Sequence, residues 1–203
     1  MYDCIIIGAG AAGTSCALML GSAHKKPFVT DKKIALFTHQ KGSMLQKAKF
    51  NNYYGIELGT TGEELLQTSL QKLSESCLHI EQIADEKVTE IHQEGESYKI
   101  ITNQGEYFAK NVVVATNHSS PFTILGVLES LVEPHGKSIP EKNRIQIRND
   151  DHKVLEGLYV AGTLAGHRSQ LAIAVGSGAA VATDILVKWN DGNETQVHDS
   201  INK

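Results

Sequence analysis

Cysteine is scarce in this 203-residue sequence: there are three, and none falls in a Cys-x-x-Cys pair. Cys4, Cys16 and Cys77 stand far apart and at no metal-ligand spacing, which leaves no dithiol or thiolate metal site to read. Each sits where a thiol serves as a small apolar group: the first strand, the first helix and the end of a later amphipathic helix. Basic charge is thin as well. With 19 Lys and Arg against 23 Asp and Glu, the formal charge is -4, and no basic run is longer than a pair, which argues against a nucleic-acid surface as the main partner. No internal repeat is present. No apolar run approaches a membrane span, and the N-terminus enters a strand at once, leaving no room for a signal peptide. The expectation is a cytoplasmic protein. Hydrophobic residues make up 41% of the chain, enough for one core, so a single domain over residues 1–189 with a flexible polar tail at 190–203 is expected.

Against these absences stands one dense stretch. Residues 3–14, DCIIIGAGAAGT, run a short apolar strand into Gly-x-Gly-x-x-Gly and then into an alanine-rich helix. This pattern opens a dinucleotide-binding unit: Gly8 permits the tight turn, Gly10 lets the backbone approach a pyrophosphate, and Gly13 lets the helix pack closely on the strand. The helix N-terminus then turns its unpaired N–H groups and positive dipole end toward the phosphates. Glycine-rich turns also occur without ligands, so context decides. Ile5 to Ile7 read as a buried strand, residues 11–21 contain no proline or β-branched run, and residues 28–31 (FVTD) read as a second strand ending in an acid. Asp31 lies eighteen residues past Gly13, where a ribose-binding carboxylate belongs.

Farther along, residues 38–44 form a polar, glycine-containing loop placed to cross the nucleotide, and residues 51–56 form a loop of amides and aromatics. Thr61 and Glu64 stand in capping-box spacing ahead of Leu66, Leu70, Leu73 and Cys77, which predicts a structural helix over 61–77. Strands are predicted over 80–83, 87–93, 98–103 and 106–109 as a β-meander, and a separate buried strand over 112–116 exits through Asn117 and His118. Residues 122–150 look connective, with alternation at 144–148. A buried strand at 157–161 leads through Gly162 to Ser169 into a long helix over 170–189. Ala172, Ala174, Gly176, Gly178, Ala179 and Ala180 crowd its first half. Interior helical glycines are unfavourable by roughly 1 kcal/mol each relative to alanine, so something packs very close to them, either the rest of the protein or a ligand.

With both ends in view, the chain resembles the FAD-binding domain of the thioredoxin reductase family, within the two-dinucleotide-binding flavoproteins. Four marks coincide in order over residues 3 to about 189. They are Gly8-Ala-Gly10-Ala-Ala-Gly13; Asn52-Tyr-Tyr-Gly55, similar to that family's Asn-aromatic-Pro-Gly; Ala115-Thr116-Asn117, similar to its Ala-Thr-Gly; and Gly157-Leu-Tyr-Val-Ala-Gly162-Thr163, followed by Gln170 and Gly176. The resemblance implies an α/β fold: a three-layer Rossmann-like FAD/NAD(P)-binding domain with a parallel sheet, a β-meander and a long C-terminal helix. It also implies a set of FAD contacts. Gly8, Gly10, Ala12 and Gly13 would cradle the pyrophosphate, Asp31 with Lys32 beside it would meet the adenosine ribose, and Gly42 and Ser43 would line the crossing loop. Asn52 would lie near the flavin, and Val88 would present backbone to the adenine. The strand end Ala115, Thr116 and Asn117 would approach the cofactor; Gly162 and Thr163 would reach the ribityl chain and phosphates; Gln170, Leu171 and Ala172 would offer helix N–H groups to the flavin pyrimidine end.

The departures from that family carry as much. The family places an NADPH-binding domain with a redox CxxC between its Ala-Thr-Gly and Gly-Asp segments, whereas here only 45 residues separate Asn117 from Thr163. Thr163 stands where the family has its ribityl aspartate, which removes one negative charge beside the flavin. The expectation is a stand-alone FAD oxidoreductase without dithiol chemistry, reduced by external NAD(P)H or by a redox protein partner, and a homodimer by resemblance. His118 and His167 follow the two strands that flank the cofactor and are the candidate proton donors. A non-catalytic flavin module or a subunit of a larger redox complex is the alternative, and a single-domain NAD(P) dehydrogenase ranks last.

Overall fold

Alternation along the first strand sets up two cores. In β1 (Tyr2–Ile7), Cys4 and Ile6 pack on one side of the sheet with Ile34, Leu36 and Val113, while Ile5 and Ile7 pack on the other with Ala35, Phe37, Val112 and Val114. Strand period two divides the side chains this way, and burial on both faces is what a covered parallel sheet requires. The computed structural model describes residues 1–39 and 44–197.

In chain order the elements are β1, α1 (Ala11–Ser22), β2 (Ile34–Phe37), β3 (Lys49–Phe50), β4 (Thr60–Thr61), α2 (Gly62–Ser76) and β5 (Ile80–Ile83). There follow β6 (Val88–Glu94), β7 (Ser97–Thr102), β8 (Glu106–Val114), β9 (Leu125–Gly126), β10 (Val132–Pro134), β11 (Ile145–Ile147), β12 (Lys153–Leu155), β13 (Leu158–Val160) and α3 (Leu171–Trp189). The parallel part of the main sheet runs β5-β2-β1-β8-β13. Helices α1 and α3 cover one face, and the antiparallel β6-β7-β8 meander with its neighbours closes the other, so the layered α/β expectation holds.

Several local expectations change. Residues 28–31 are not a strand but consecutive turns: Val29 and Thr30 N–H groups both donate to the Lys26 carbonyl, and Thr30 Oγ1 donates to the His24 and Lys26 carbonyls. A threonine hydroxyl that takes carbonyls for itself competes with strand pairing. The strand predicted over 80–83 belongs not to the meander but to the sheet edge, parallel to β2. The two strands predicted at 106–109 and 112–116 are one, β8, which pairs with β7 through its first half and with β13 through its second, while β1 lies along its other edge. The region 122–150 is also more ordered than expected, since β10 and β11 form an antiparallel pair there.

The capping box of α2 is present: Glu64 N–H donates to Thr61 Oγ1 at 3.2 Å, and Thr61 N–H donates to Glu64 Oε2 at 2.8 Å. Cys77 closes the helix as C-cap. The expectation that no apolar run approaches a membrane span is corrected by α3, whose 19 residues, at a mean hydropathy of 1.6, are long and apolar enough to cross one. Its small residues raise hydropathy without adding bulk, and Ser177, Gly178, Val181, Ala182, Ile185 and Leu186 are buried inside the protein. Nor is the tail free through residue 197. Asn190 and Asn193 exchange side-chain bonds to each other's carbonyls, Thr195 is buried, and Val197 packs on the helix-side core.

The tight crossing that the α3 glycines predict is with α1. A Cβ added to Gly178 would overlap the Ala12 carbonyl, and one added to Gly13 would overlap the carbonyl of Gly8. Backbone atoms cannot yield as a flexible side chain would, so these two positions admit hydrogen only. Gly178→Val is expected to lower stability by at least the 1–3 kcal/mol or so typical of overpacking, read as a fall in the urea midpoint, whereas Gly176→Ala, with open space around it inside the helix, should raise the midpoint, by up to about 1 kcal/mol of helix propensity.

Candidate functional site

The C-terminal ends of the parallel strands open onto one cavity of about 860 Å³. Ile7 to Ala12 form its floor, Phe37 and His39 its β2 side, Asp85 to Val88 with Asn103 one end, and Ala115 to Ser119 a flank. Ala161 to Thr163 and Ser169 to Leu171 close the remaining side. Strand ends of an open α/β sheet are where such folds place ligands, because the chain leaves neighbouring strands in opposite directions there.

Two helices point their starts into this cavity. Gly10 is the N-cap of α1 and Gln170 the N-cap of α3; neither makes a side-chain cap hydrogen bond, and neither helix has an acidic residue in its first turn. Helix starts in proteins are ordinarily capped by a side-chain oxygen, and the positive end of the dipole favours a nearby acid. Both starts leave that role to something else. Gly10 differs from the packing glycines, since a Cβ there would meet nothing within 4 Å. The cradle side of the motif is open space.

The candidate residues divide by position. Gly8, Gly10, Ala12, Val88, Ala115, Thr116, Asn117, His118, Gly162, Thr163, Gln170 and Leu171 line the cavity. Gly13 lies behind it as a packing residue, and Ala172 is outside the lining with its side chain exposed. Gly42 and Ser43 fall outside the described residues. Asp31 and Lys32 are at the wrong end: they precede β2, whereas the cavity lies beyond its last residue, Phe37. Lys32 Nζ sits 3.7 Å from Asp3 Oδ1 and 5.5 Å from the centre of the Trp189 ring. Asn52 is exposed in the β3–β4 connection, and Phe50, the last residue of β3, reaches the lining instead.

Sequence reading missed His39, Asp85, Glu86 and Asn103. Placing β2 six residues later, on its own apolar run 34–37, would have brought His39 to just past its end. Of the two lining acids, Glu86 is engaged by the Thr102 and Tyr107 hydroxyls at 2.8 Å each, and Asp85 is exposed.

The histidines also separate. His118 is buried on the cavity wall, 5.6 Å from the His135 ring, and burial, then the Arg144 and His135 charges, push it down to about 4. It is neutral at physiological pH. His167 turns away: the left-handed Gly166 (φ 84°) redirects the chain, and His167 Nε2 lies 2.9 Å from His152 Nε2 outside the lining. Burial and the His152 and Lys137 charges lower its pKa as well.

The pattern that defines the pyridine nucleotide-disulphide oxidoreductases matches residues 2–180 of this chain. The chain belongs to that family. Over 115 residues it is 33% identical to a thioredoxin reductase of Treponema pallidum, a match covering 57% of this chain and 35% of the relative, so it spans about a third of that relative's length. Among solved structures it is similar to a thioredoxin reductase from Gloeobacter violaceus (TM-score 0.72, 13% identity, 100% of this chain and 99% of the other). It is also similar to a ferredoxin-flavin thioredoxin reductase from Clostridium acetobutylicum (TM-score 0.68, 17% identity, 94% and 98%). At these identities the structural likeness speaks for the fold.

Cys4, Cys16 and Cys77 are all free and buried. Burial pushes Cys16 up to about 12, and burial, then Cys16 and Asp3, push Cys4 well above the ordinary thiol range. Neither of those two supplies a thiolate.

His118, His79 and His167 all bind protons more weakly in the folded chain than in the unfolded one. Unfolding therefore takes up protons between about pH 4 and 6.5, and stability falls as pH drops through that window. His118→Gln should remove about one proton of this uptake, so its urea midpoint should fall less than that of the wild type between pH 7 and pH 5.

Proposed function

We propose that the cavity holds FAD and that the chain is a flavin-dependent oxidoreductase working without a dithiol. The observation that carries this reading is the convergence of two uncapped, acid-free helix starts on one cavity. Two positive helix ends on one cavity suit a ligand that carries negative charge, and the volume is at the upper end of the roughly 300–1,000 Å³ of small-molecule sites. Gly10 leaves room for phosphate oxygens against the first turn of α1.

FAD would supply the electron-transfer chemistry; the protein supplies binding, orientation and electrostatics. Gly8, Gly10 and Ala12 would hold the pyrophosphate, Val88 and Asn103 the adenine end, and Gln170 and Leu171 the pyrimidine end, where the α3 dipole favours negative charge. Thr163 adds no charge where the resemblance calls for an acid, which reinforces that preference. His118, neutral on the cavity wall, would be the side chain able to give or take a proton at a ring nitrogen.

The connection from β8 to β13 builds only short strands and turns, so the reductant comes from outside. External NAD(P)H or a reduced protein carrier fills that role; the name of the ferredoxin-flavin relative gives the second source a precedent. A flavin-binding module within a larger redox complex is the alternative, favoured by the buried thiols.

Purified protein, reconstituted with FAD, should show a flavin spectrum, and Gly10→Val should abolish that uptake by filling the cradle while leaving the thermal midpoint within a few degrees. Failure of the wild type to take up FAD sinks the proposal. Under anaerobic conditions, bleaching by NADH, NADPH or a photoreduced protein carrier marks an oxidoreductase; a flavin that none of them reduces marks the module.

A further inference from the structure

We propose that Ser177 and His152 are positioning residues for the cavity occupant, acting through the turn Gly162–Ala165, and that they do so by fixing one backbone N–H. The proposal rests on the reading of that occupant as FAD. The turn is a single 3-10 turn of four residues, and its Gly162 and Thr163 line the cavity. So short an element has little rigidity of its own, and its geometry has to be imposed from behind.

Behind it lies a buried polar network. Gly162 N–H donates to Ser177 Oγ at 2.8 Å, and Ser177 sits buried on α3. Because that oxygen accepts from Gly162, its own hydrogen is free for His152 Nε2, 2.9 Å away. His167 Nε2 also lies 2.9 Å from that nitrogen, whose one lone pair takes the Ser177 hydroxyl, and the His152 proton then belongs on Nδ1, which faces Asp151 Oδ1 at 3.5 Å.

His152 itself is held in place. It is buried and has φ 74°, a left-handed conformation that costs a non-glycine residue about 1–3 kcal/mol unless its surroundings impose it. Here its N–H donates to Asn149 Oδ1 and its carbonyl accepts from Val160 N–H, both at 2.9 Å. The opposite end of the turn is pinned as well. Thr163 carbonyl accepts from His135 Nε2 at 3.1 Å, a tautomer fixed by Lys137 N–H donating to His135 Nδ1. Ala165 carbonyl accepts from Asn149 Nδ2 at 3.4 Å.

None of Ser177, His152 and His167 lines the cavity, so they touch no ligand and act only through the turn. One consequence departs from the contact set implied by resemblance: the Gly162 N–H is already occupied, and Thr163 is the part of the turn left for the ligand.

The test uses full-length apoprotein, FAD titration by fluorescence, and amide hydrogen exchange. Ser177→Ala removes the acceptor, Ser177→Thr restores a hydroxyl, and His152→Asn removes the imidazole with a residue that tolerates positive φ. FAD affinity should weaken about tenfold in Ser177→Ala and His152→Asn and recover to within about threefold in Ser177→Thr. Exchange at Gly162 should accelerate in the two weakened variants while the β1 amides keep wild-type protection. Variants that match the wild type in affinity, or a Gly162 amide indifferent to Ser177, overturn the proposal, as does a loss of protection that spreads to β1. A wild type that takes up no FAD overturns the underlying reading instead, and the affinity and exchange results separate the two failures.

Discussion

The approach of α3 to α1 at Gly178 and Ala12 fixes the geometry of the whole cavity. With hydrogen in place of a side chain at Gly178, the two helix backbones come into contact, and the same economy at Gly13 seats α1 on the turn after β1. Only at these separations do both helix starts, Gly10 and Gln170, reach the space beyond the strand ends. A single methyl group at either crossing would move a helix start away from the other by the thickness of that group. Packing and electrostatics are one constraint here, since the dipole effect fades within the first turn.

The charge pattern around the cavity follows from the same arrangement. Two positive helix ends meet no first-turn acid, Thr163 contributes none, and the histidine on the wall is kept uncharged by burial. Glu86 is committed to two hydroxyls. Away from Asp85 and Lys87 at one end, fixed dipoles rather than mobile side-chain charges offer the favourable potential. Preorganised dipoles of this kind need little rearrangement when charge arrives.

Much of this was legible in the sequence, and the failures have physical causes. The glycine motif, the capping box of Thr61 and Glu64, and the buried runs at β1, β8 and β13 are local signals, and the structure contains each of them. Asp31 was misplaced because FVTD has strand composition, yet Thr30 turns its hydroxyl onto nearby carbonyls and ends the chain direction there. The continuity of β8 was hidden by Lys110 and Asn111, which read as a break; Asn111 is instead buried and bonded through Nδ2 to the Asp3 carbonyl at 2.8 Å. His167 was read from its distance after a strand, but the turn at Gly166 decides which way it faces, and His152 had no pattern to mark it. Contacts between residues distant in sequence leave no periodicity to find.

The pairing of α1 with α3 also orders events during synthesis. The glycine motif at residues 8–13 leaves the ribosome some 165 residues ahead of its partner Gly178. Until then Ala12 of α1 lacks the α3 backbone that packs against it. The side of α1 that meets α3 therefore waits uncovered while the residues between are made, and the cavity closes in a late event when the two helices meet.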